Sequence, residues 1–285
     1  MTPELLKSFF AENADVILCE ITRVAGSSPR EEGTFMVVGA EHALGTIGGG
    51  ALEYMVIEHA RRLIVGGRAS EVMDVPLGPE IGQCCGGRVR VDLAYVTPVM
   101  GERLIERSAD DNAKLPQVYV FGAGHVGRVL AQILSLLPVK LDVIDTRKIE
   151  LAMLAPGIAS RLVAMPEMVV RQAPPASSFV IVTHDHALDF LIAHEALSRP
   201  DAAYVGMVGS KTKRAKFTNW FREQGGNALV LNKLILPIGA QGLGDKRPAV
   251  IAALAAAELM AHLGGRDISK QDISSPEETG AARGF

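Results

Sequence analysis

Apolar and polar positions alternate with a period near two along the first third of the chain. From Gln117 they settle into a strand–helix rhythm. Val16–Val24 reads as a partly alternating strand, and Thr34–Val38, Leu44–Ile47, Ser70–Pro76 and Arg88–Val96 read as further strands, because residues two apart line one face of a sheet. A short helix is expected over 5–13. A longer amphipathic one runs over Ala51–Ile64 and closes at Gly66-Gly67, since glycine accepts the left-handed turn that ends a helix. The first third is therefore a small α+β unit with two glycine-rich turns. Beyond it, strands are expected at 117–121, 140–144, 160–164, 178–183 and 203–208, and helices at 125–136, 187–198, 211–223 and 247–262. Alternation of this kind builds a parallel sheet. The stretch 101–116 is polar and ends in Pro116, the composition of a linker. The expected division is a domain over 1–100, a linker over 101–116, a second domain over 117–263 and a loose tail over 264–285.

One stretch organises the second domain: Val118-Tyr-Val-Phe-Gly-Ala-Gly-His-Val-Gly127. Strand-like residues run into Gly122, Gly124, His125 and Gly127. Val126, Val129, Leu130, Ile133, Leu134 and Leu137 then share one helix face. A second strand, Lys140–Ile144, ends on Asp145, eighteen residues past Gly127. Strand, tight turn, helix, strand and acid at this spacing form the dinucleotide-binding fingerprint. Gly122 would permit the turn, Gly124 would let a pyrophosphate approach the backbone, and Gly127 would let helix pack closely on strand. Asp145 would accept hydrogen bonds from a ribose. The fold class expected is α/β, a small N-terminal α+β domain followed by a Rossmann-like parallel-sheet domain. A nucleotide such as NAD is one occupant of its crevice, and an empty or differently used crevice is the other reading.

Composition narrows the function classes. The chain has 285 residues, a hydrophobic share of 48% and a net charge of −3 with both signs mixed throughout. It can bury a sizeable core, and it carries no basic field for nucleic acid or an anionic membrane. The N-terminus lacks a basic segment followed by an apolar run. The greasiest segment, Ala249–Met260, is too short to span a bilayer and is interrupted by Glu258. Three cysteines, two of them adjacent, do not make a disulfide framework. A reducing cytoplasm is the expected compartment.

Further stretches carry candidate chemistry. In Gly45–Glu53, Gly48, Gly49 and Gly50 open a helix and would present backbone N–H groups to a phosphate or carboxylate. Glu53 in its first turn would offset the dipole, and a plain strand-to-helix turn is the alternative. Cys84-Cys85-Gly86-Gly87 places adjacent thiols in a glycine loop, suited to a soft metal or to sulfur transfer. A buried pair is the alternative, and ordinary zinc spacing is missing. His184-Asp185-His186-Ala-Leu-Asp189 sits at the carboxyl end of a strand of the second domain, where open α/β sheets bind ligands. It reads either as a ligand set or as a helix start capped by Asp185. Ser210 is a good helix cap, and Lys211, Lys213 and Arg214 crowd the turn after it, which an anion would relieve. The glycine-rich loop over Leu236–Val250 reads as a substrate or interface loop, with an ordinary loop as the alternative.

These motifs together resemble the xanthine dehydrogenase accessory proteins of the XdhC/CoxI family, most closely the XdhC branch. The resemblance runs from about Leu18 to Leu263. It rests on Arg23–Arg30, Gly45–Glu53, Gly82–Gly87, Phe121–Gly127, Thr183–His186, Val205–Lys211 and Pro237–Pro248. The 239–247 loop departs from the family in being longer and in lacking an acidic residue near Gly239. The resemblance implies a chaperone that binds molybdenum cofactor (molybdopterin), holds it during sulfuration and delivers it to apo xanthine dehydrogenase. It implies a carrier more than an enzyme with turnover, and no catalytic residue is assigned. Implied partners are the apo-enzyme, a cysteine desulfurase and a second copy in a homodimer; nucleic acid and membrane are not among them. Cys85, the cysteine of Cys-Gly-Gly, would lie near the metal or its sulfido group. An NAD(P)-dependent oxidoreductase is the alternative from a different class, though no Tyr-x3-Lys pair accompanies the fingerprint.

Overall fold

The computed structural model describes residues 1–79, 86–239 and 245–264. The chain forms two compact units, Met1–Lys114 and Leu115–Phe285. Among the described residues no helix is long and apolar enough to cross a membrane.

The first unit is a five-stranded antiparallel sheet between helices. Its strands are β1 (Ile17–Ala25), β2 (Phe35–Val38), β3 (Ala43–Gly45), β4 (Ser70–Pro76) and β5 (Arg88–Tyr95), in the order β3-β2-β1-β5-β4. The alternation read in the sequence sorts side chains to two faces. Ile17, Cys19 and Ile21 of β1 join Val56, Ala60 and Leu63 of helix α2 (Gly50–Gly66) in one core cluster. Leu18 points the other way, into a cluster with Leu6 and Phe9 of α1 (Pro3–Glu12) and Leu104 of α3 (Pro98–Ala113). Each fully buried aliphatic side chain of this kind contributes about 1.5–3 kcal/mol.

Helix α3 corrects the linker reading of 101–116. Thr97 caps it by accepting from the Met100 N–H, and Pro98 occupies its first turn, where a missing N–H costs nothing. Its inward positions are Gly101, Leu104 and Ser108. Gly101 faces the Phe10 ring and Val96. Arg107 donates to Glu20 at 2.7 Å and lies over the Phe35 ring. One narrow apolar stripe on an otherwise charged helix leaves the average composition polar.

The second unit is a six-stranded parallel sheet: β6 (Gln117–Phe121), β7 (Lys140–Asp145), β8 (Ser160–Leu162), β9 (Ser178–Ile181), β10 (Tyr204–Met207) and β11 (Leu234–Ile235), ordered β11-β10-β9-β6-β7-β8. Strand order reverses between β6 and β9, which makes the carboxyl ends of those strands the topological switch point. On one face lie α4 (His125–Leu134) and α9 (Pro248–Leu263), where Ala252, Ala255 and Ala256 share a core cluster with Leu130 and Leu134. The small α9 side chains let the two helices approach closely. On the other face α6 (Pro166–Gln172), α7 (His186–Ser198) and α8 (Lys211–Glu223) pack over Phe121, Phe179 and Met207. A short helix α5 (Lys148–Leu151) follows β7. The α/β expectation holds in both halves: antiparallel sheet first, parallel Rossmann-like sheet second.

Candidate functional site

The glycine turn after β6 shows why each of its three glycines is glycine. Gly122 has φ +112°, and a Cβ there would lie 2.5 Å from the Val182 carbonyl oxygen. Its N–H donates to the Ile144 carbonyl at 2.7 Å, which ties the turn to β7. At Gly127 a Cβ would sit 1.8 Å from the Gly122 carbonyl oxygen, so helix α4 can seat on the turn only without a side chain there. Gly124 differs: nothing lies within 4 Å of its Cβ position. No side chain caps α4 at this end, so its first amides face the open space over Gly124. His125 is exposed beside it.

Asp145 lies at the end of β7, buried and fully engaged. Its Oδ2 accepts from the Ala123 N–H at 2.7 Å and from Arg147 Nη2 at 3.0 Å. Its Oδ1 accepts from the Arg147 N–H at 2.9 Å and from Arg147 Nε at 3.0 Å. Burial pushes its pKa up, but the hydrogen bonds from the Arg147 side chain and from the Ala123 and Arg147 amides outweigh that and hold the carboxyl below its ordinary range. The bond to Asp145 in turn raises the Arg147 pKa. The acceptor positions that a ribose would need already serve the glycine turn and Arg147. Glu150 extends the network, accepting from Arg128 Nη1 at 2.7 Å and from Arg147 Nη1 at 3.5 Å.

The end of β9 forms the facing wall. Gly122, Asp145, Thr146, Pro166, Thr183 and His184 line one cleft at the switch point. Asp185 caps α7, accepting from the Ala187 N–H at 2.7 Å and the Leu188 N–H at 3.4 Å. Of the two readings for this motif, the helix start is the one the geometry displays. His184 stays exposed on the cleft rim, and no cluster able to hold a metal forms among the described residues. Behind the wall, Asp189 is completely buried and accepts from the Thr183 N–H at 3.1 Å and its hydroxyl at 2.7 Å. The Lys213 ammonium also binds Asp189, and it donates to the Val208 carbonyl at 2.9 Å.

This pairing changes the picture of the basic turn after Ser210. Ser210 caps α8 by accepting from the Lys213 N–H at 3.2 Å, as its position suggested. Lys213 folds inward to Asp189, and Arg214 donates to the Leu234 and Leu236 carbonyls at 3.1 Å each. The cationic crowding is largely relieved by the protein itself, and Lys211 remains exposed.

In the first unit the Gly48–Gly50 turn carries its own anion. Glu53 Oε2 accepts from the Ile47 N–H at 3.1 Å, the Gly49 N–H at 3.0 Å and the Thr46 hydroxyl at 2.5 Å. The Gly48 N–H donates to Thr46 Oγ1 at 3.1 Å. A phosphate on the Ile47 and Gly49 amides would have to displace a carboxylate. Gly48 packs on Pro29, with a Cβ at 2.8 Å from its ring, and Gly87 packs on Ser27, with a Cβ at 2.0 Å from its carbonyl oxygen. Arg23–Arg30, Gly45–Glu53 and Gly86-Gly87, far apart in sequence, thus meet in this unit. Gly86 has φ +67° and donates to the Leu77 carbonyl at 2.9 Å. Cys84 and Cys85 lie outside the described residues. Cys19 is buried in the sheet core, and burial pushes its thiol up to about 12.

Near the final loop, of which 240–244 lie outside the described residues, Glu258 of α9 accepts from Tyr204 Oη at 2.6 Å and from the Gly239 N–H at 3.3 Å. The sequence reading did not single out Arg147, Arg128 or Glu150, and it took Asp189 only as the end of the His184–Asp189 motif. The one available signal was an arginine two residues past the strand-end acid.

Comparison with known proteins follows this division. A model described as the XdhC Rossmann domain matches residues 118–259, and one described as the XdhC and CoxI family matches residues 10–75. The chain is 27% identical to an uncharacterized Escherichia coli K12 protein, YqeB, over 87% of its own length, and spans 44% of that protein's length. It superposes with a TM-score of 0.75 on a solved structure described as a xanthine dehydrogenase from Bacillus halodurans, covering 97% of this chain and 98% of that one at 19% identity; this likeness is one of fold. With one family model on each unit, in order, the chain belongs to the XdhC and CoxI family.

Proposed function

We propose that this protein is an accessory factor that binds molybdenum cofactor, holds it during sulfuration and passes it to apo xanthine dehydrogenase. Membership of the XdhC and CoxI family supports an accessory role with a partner enzyme. The observation that bears on the oxidoreductase alternative is the state of Asp145. The glycine turn offers an open position at Gly124, yet the acid that would hold the ribose diol of NAD is closed by Arg147 and the Ala123 amide. That combination disfavours NAD, and membership of the family carries the choice of a carrier over an NADP-dependent oxidoreductase.

In this reading the chain's residues bind and orient, and none is assigned a bond-making step. Gly124 and His125 bound the open end of the crevice, with His184 on its rim. Cys85 is the soft group offered to the metal, with Cys84 beside it in sequence. A cysteine desulfurase as sulfur source, a homodimeric state and a cytoplasmic setting complete the proposal.

The experiment is activation of apo xanthine dehydrogenase by cofactor-loaded protein, comparing wild type, Cys84→Ala and Cys85→Ala. The proposal expects Cys85→Ala to lose more retained cofactor and more activation than Cys84→Ala. Unaltered activation by both variants would remove the thiol from the account. Turnover of NADH with a carbonyl substrate would favour the oxidoreductase instead.

A further inference from the structure

We infer that the crevice beside Asp145 selects a phosphomonoester over a ribose diol, and that Arg147 is the residue that sets this preference. The inference deepens the carrier reading and rests on it only for the identity of the cargo.

The argument begins with the acceptor positions of Asp145. A carboxylate offers about four. Here Oδ2 takes the Ala123 N–H and Arg147 Nη2, while Oδ1 takes the Arg147 N–H and Nε. A ribose diol needs free acceptors, and none remains unless the guanidinium leaves. The side chain of Asp145 retains 3% of its exposure and that of Arg147 retains 32%. The guanidinium is therefore the solvent-facing member of the pair, with the acid behind it.

That guanidinium is held in a fixed pose. Nε and Nη2 are pinned by Asp145, and Nη1 reaches Glu150 at 3.5 Å. Glu150 is itself held by Arg128, whose Nη1 donates at 2.7 Å. Arginine carries five N–H donors in a planar fork. The hydrogens that Asp145 and Glu150 do not take remain on the Nη groups, the outer edge of the fork. A phosphomonoester brings nearly two negative charges and three acceptor oxygens, and the arginine fork matches such a group. Compared with a ribose-reading crevice, acid and arginine have exchanged roles. Asp145 positions, and Arg147 meets the ligand.

Two sources offer this chemistry: the terminal phosphate of molybdopterin and the 2′-phosphate of NADP+. The test is equilibrium dialysis of the full chain, as wild type, Arg147→Gln and Arg147→Lys, against matched pairs. One pair is NADP+ and NAD+. The other is the oxidised pterin of molybdenum cofactor before and after phosphatase treatment.

Wild type should bind the phosphorylated member of each pair at least about ten-fold more tightly. Arg147→Gln should erase that preference and, by freeing Asp145, raise affinity for NAD+. A merely structural role would weaken all ligands alike. Arg147→Lys keeps the charge but loses the fork, and should show a reduced preference; it carries the test should Arg147→Gln fail to fold. Equal binding within both pairs by wild type, a preference unchanged in Arg147→Gln and Arg147→Lys, or no phosphomonoester bound by wild type would each overturn the inference. Preference for NADP+ with neither pterin bound would leave the selectivity standing and sink the carrier reading. Both pterins bound alike, and NADP+ bound no better than NAD+, would do the reverse.

Discussion

Arg147 clasps Asp145 across one intervening residue, with Nε and Nη2 each 3.0 Å from a carboxylate oxygen. The same carboxylate holds the Ala123 amide of the glycine turn. One buried charge thus fixes both the turn and the half-exposed cation beside it.

The pH dependence of this arrangement has a definite sign. The folded-state pKa of Asp145 is lowered, so its contribution to stability is fully present above the unfolded value near 3.9 and disappears as pH falls through the folded value. Asp145→Asn should cost about 2 kcal/mol at neutral pH, because charged hydrogen bonds become neutral ones. Urea denaturation at pH 7 and again near pH 3 checks it. The gap between variant and wild type should narrow at the lower pH, and a constant gap would contradict the assignment.

Glycine substitutions in the fingerprint should separate packing from binding. Gly127→Ala drives a methyl into the Gly122 carbonyl, and such overpacking costs about 1–3 kcal/mol or more. Gly124→Ala meets nothing within 4 Å and should leave stability within about 0.5 kcal/mol of wild type. Its effect should appear in ligand retention. Thermal melts and dialysis on the two variants decide it, and an unstable Gly124→Ala with unchanged retention would reverse the assignment.

The buried pair of Asp189 and Lys213 joins α7 to α8 and holds Thr183 at the cleft wall. Lys213→Met strands a buried carboxylate and should cost about 3–5 kcal/mol, with much of the loss recovered in Asp189→Leu/Lys213→Met. Denaturant midpoints of the single and double variants measure the recovery. A double variant no more stable than Lys213→Met would show that the charge pairing is not the source of the loss.

Glu53 acts as the internal anion of the Gly48–Gly50 turn. Glu53→Ala leaves the Ile47 and Gly49 amides without their carboxylate and should cost about 1–2 kcal/mol. Added inorganic phosphate should restore part of that stability in the variant and leave wild type unmoved. Equal stabilisation of both proteins by phosphate would return the turn to the status of an open anion seat.

These contrasts show where sequence was readable. Gly122 and Gly127 declared their separate packing roles through spacing alone, because a strand-to-helix turn leaves few ways to place them. The period-two pattern of β1 sorted Ile17, Cys19 and Ile21 from Leu18 for the same kind of reason. Helix α3 was hidden, since a stripe as thin as Gly101, Leu104 and Ser108 barely raises the local hydrophobicity. The Gly48–Gly50 turn was ambiguous because Glu53, a side chain of the helix it opens, can itself serve as the anion. Arg147 was overlooked because a clasp between residues two apart follows from the bend of the chain, which no periodicity encodes. Lys213 read as one of the crowded cations that a bound anion would relieve, and only the fold brings Asp189 to meet it.

The most direct test of the whole account is retention of molybdenum cofactor by the purified full-length chain, read by equilibrium dialysis and fluorescent pterin assay. The carrier reading expects stoichiometric retention that Gly124→Ala reduces without loss of fold. Pterin fluorescence no higher than in a control protein would contradict it.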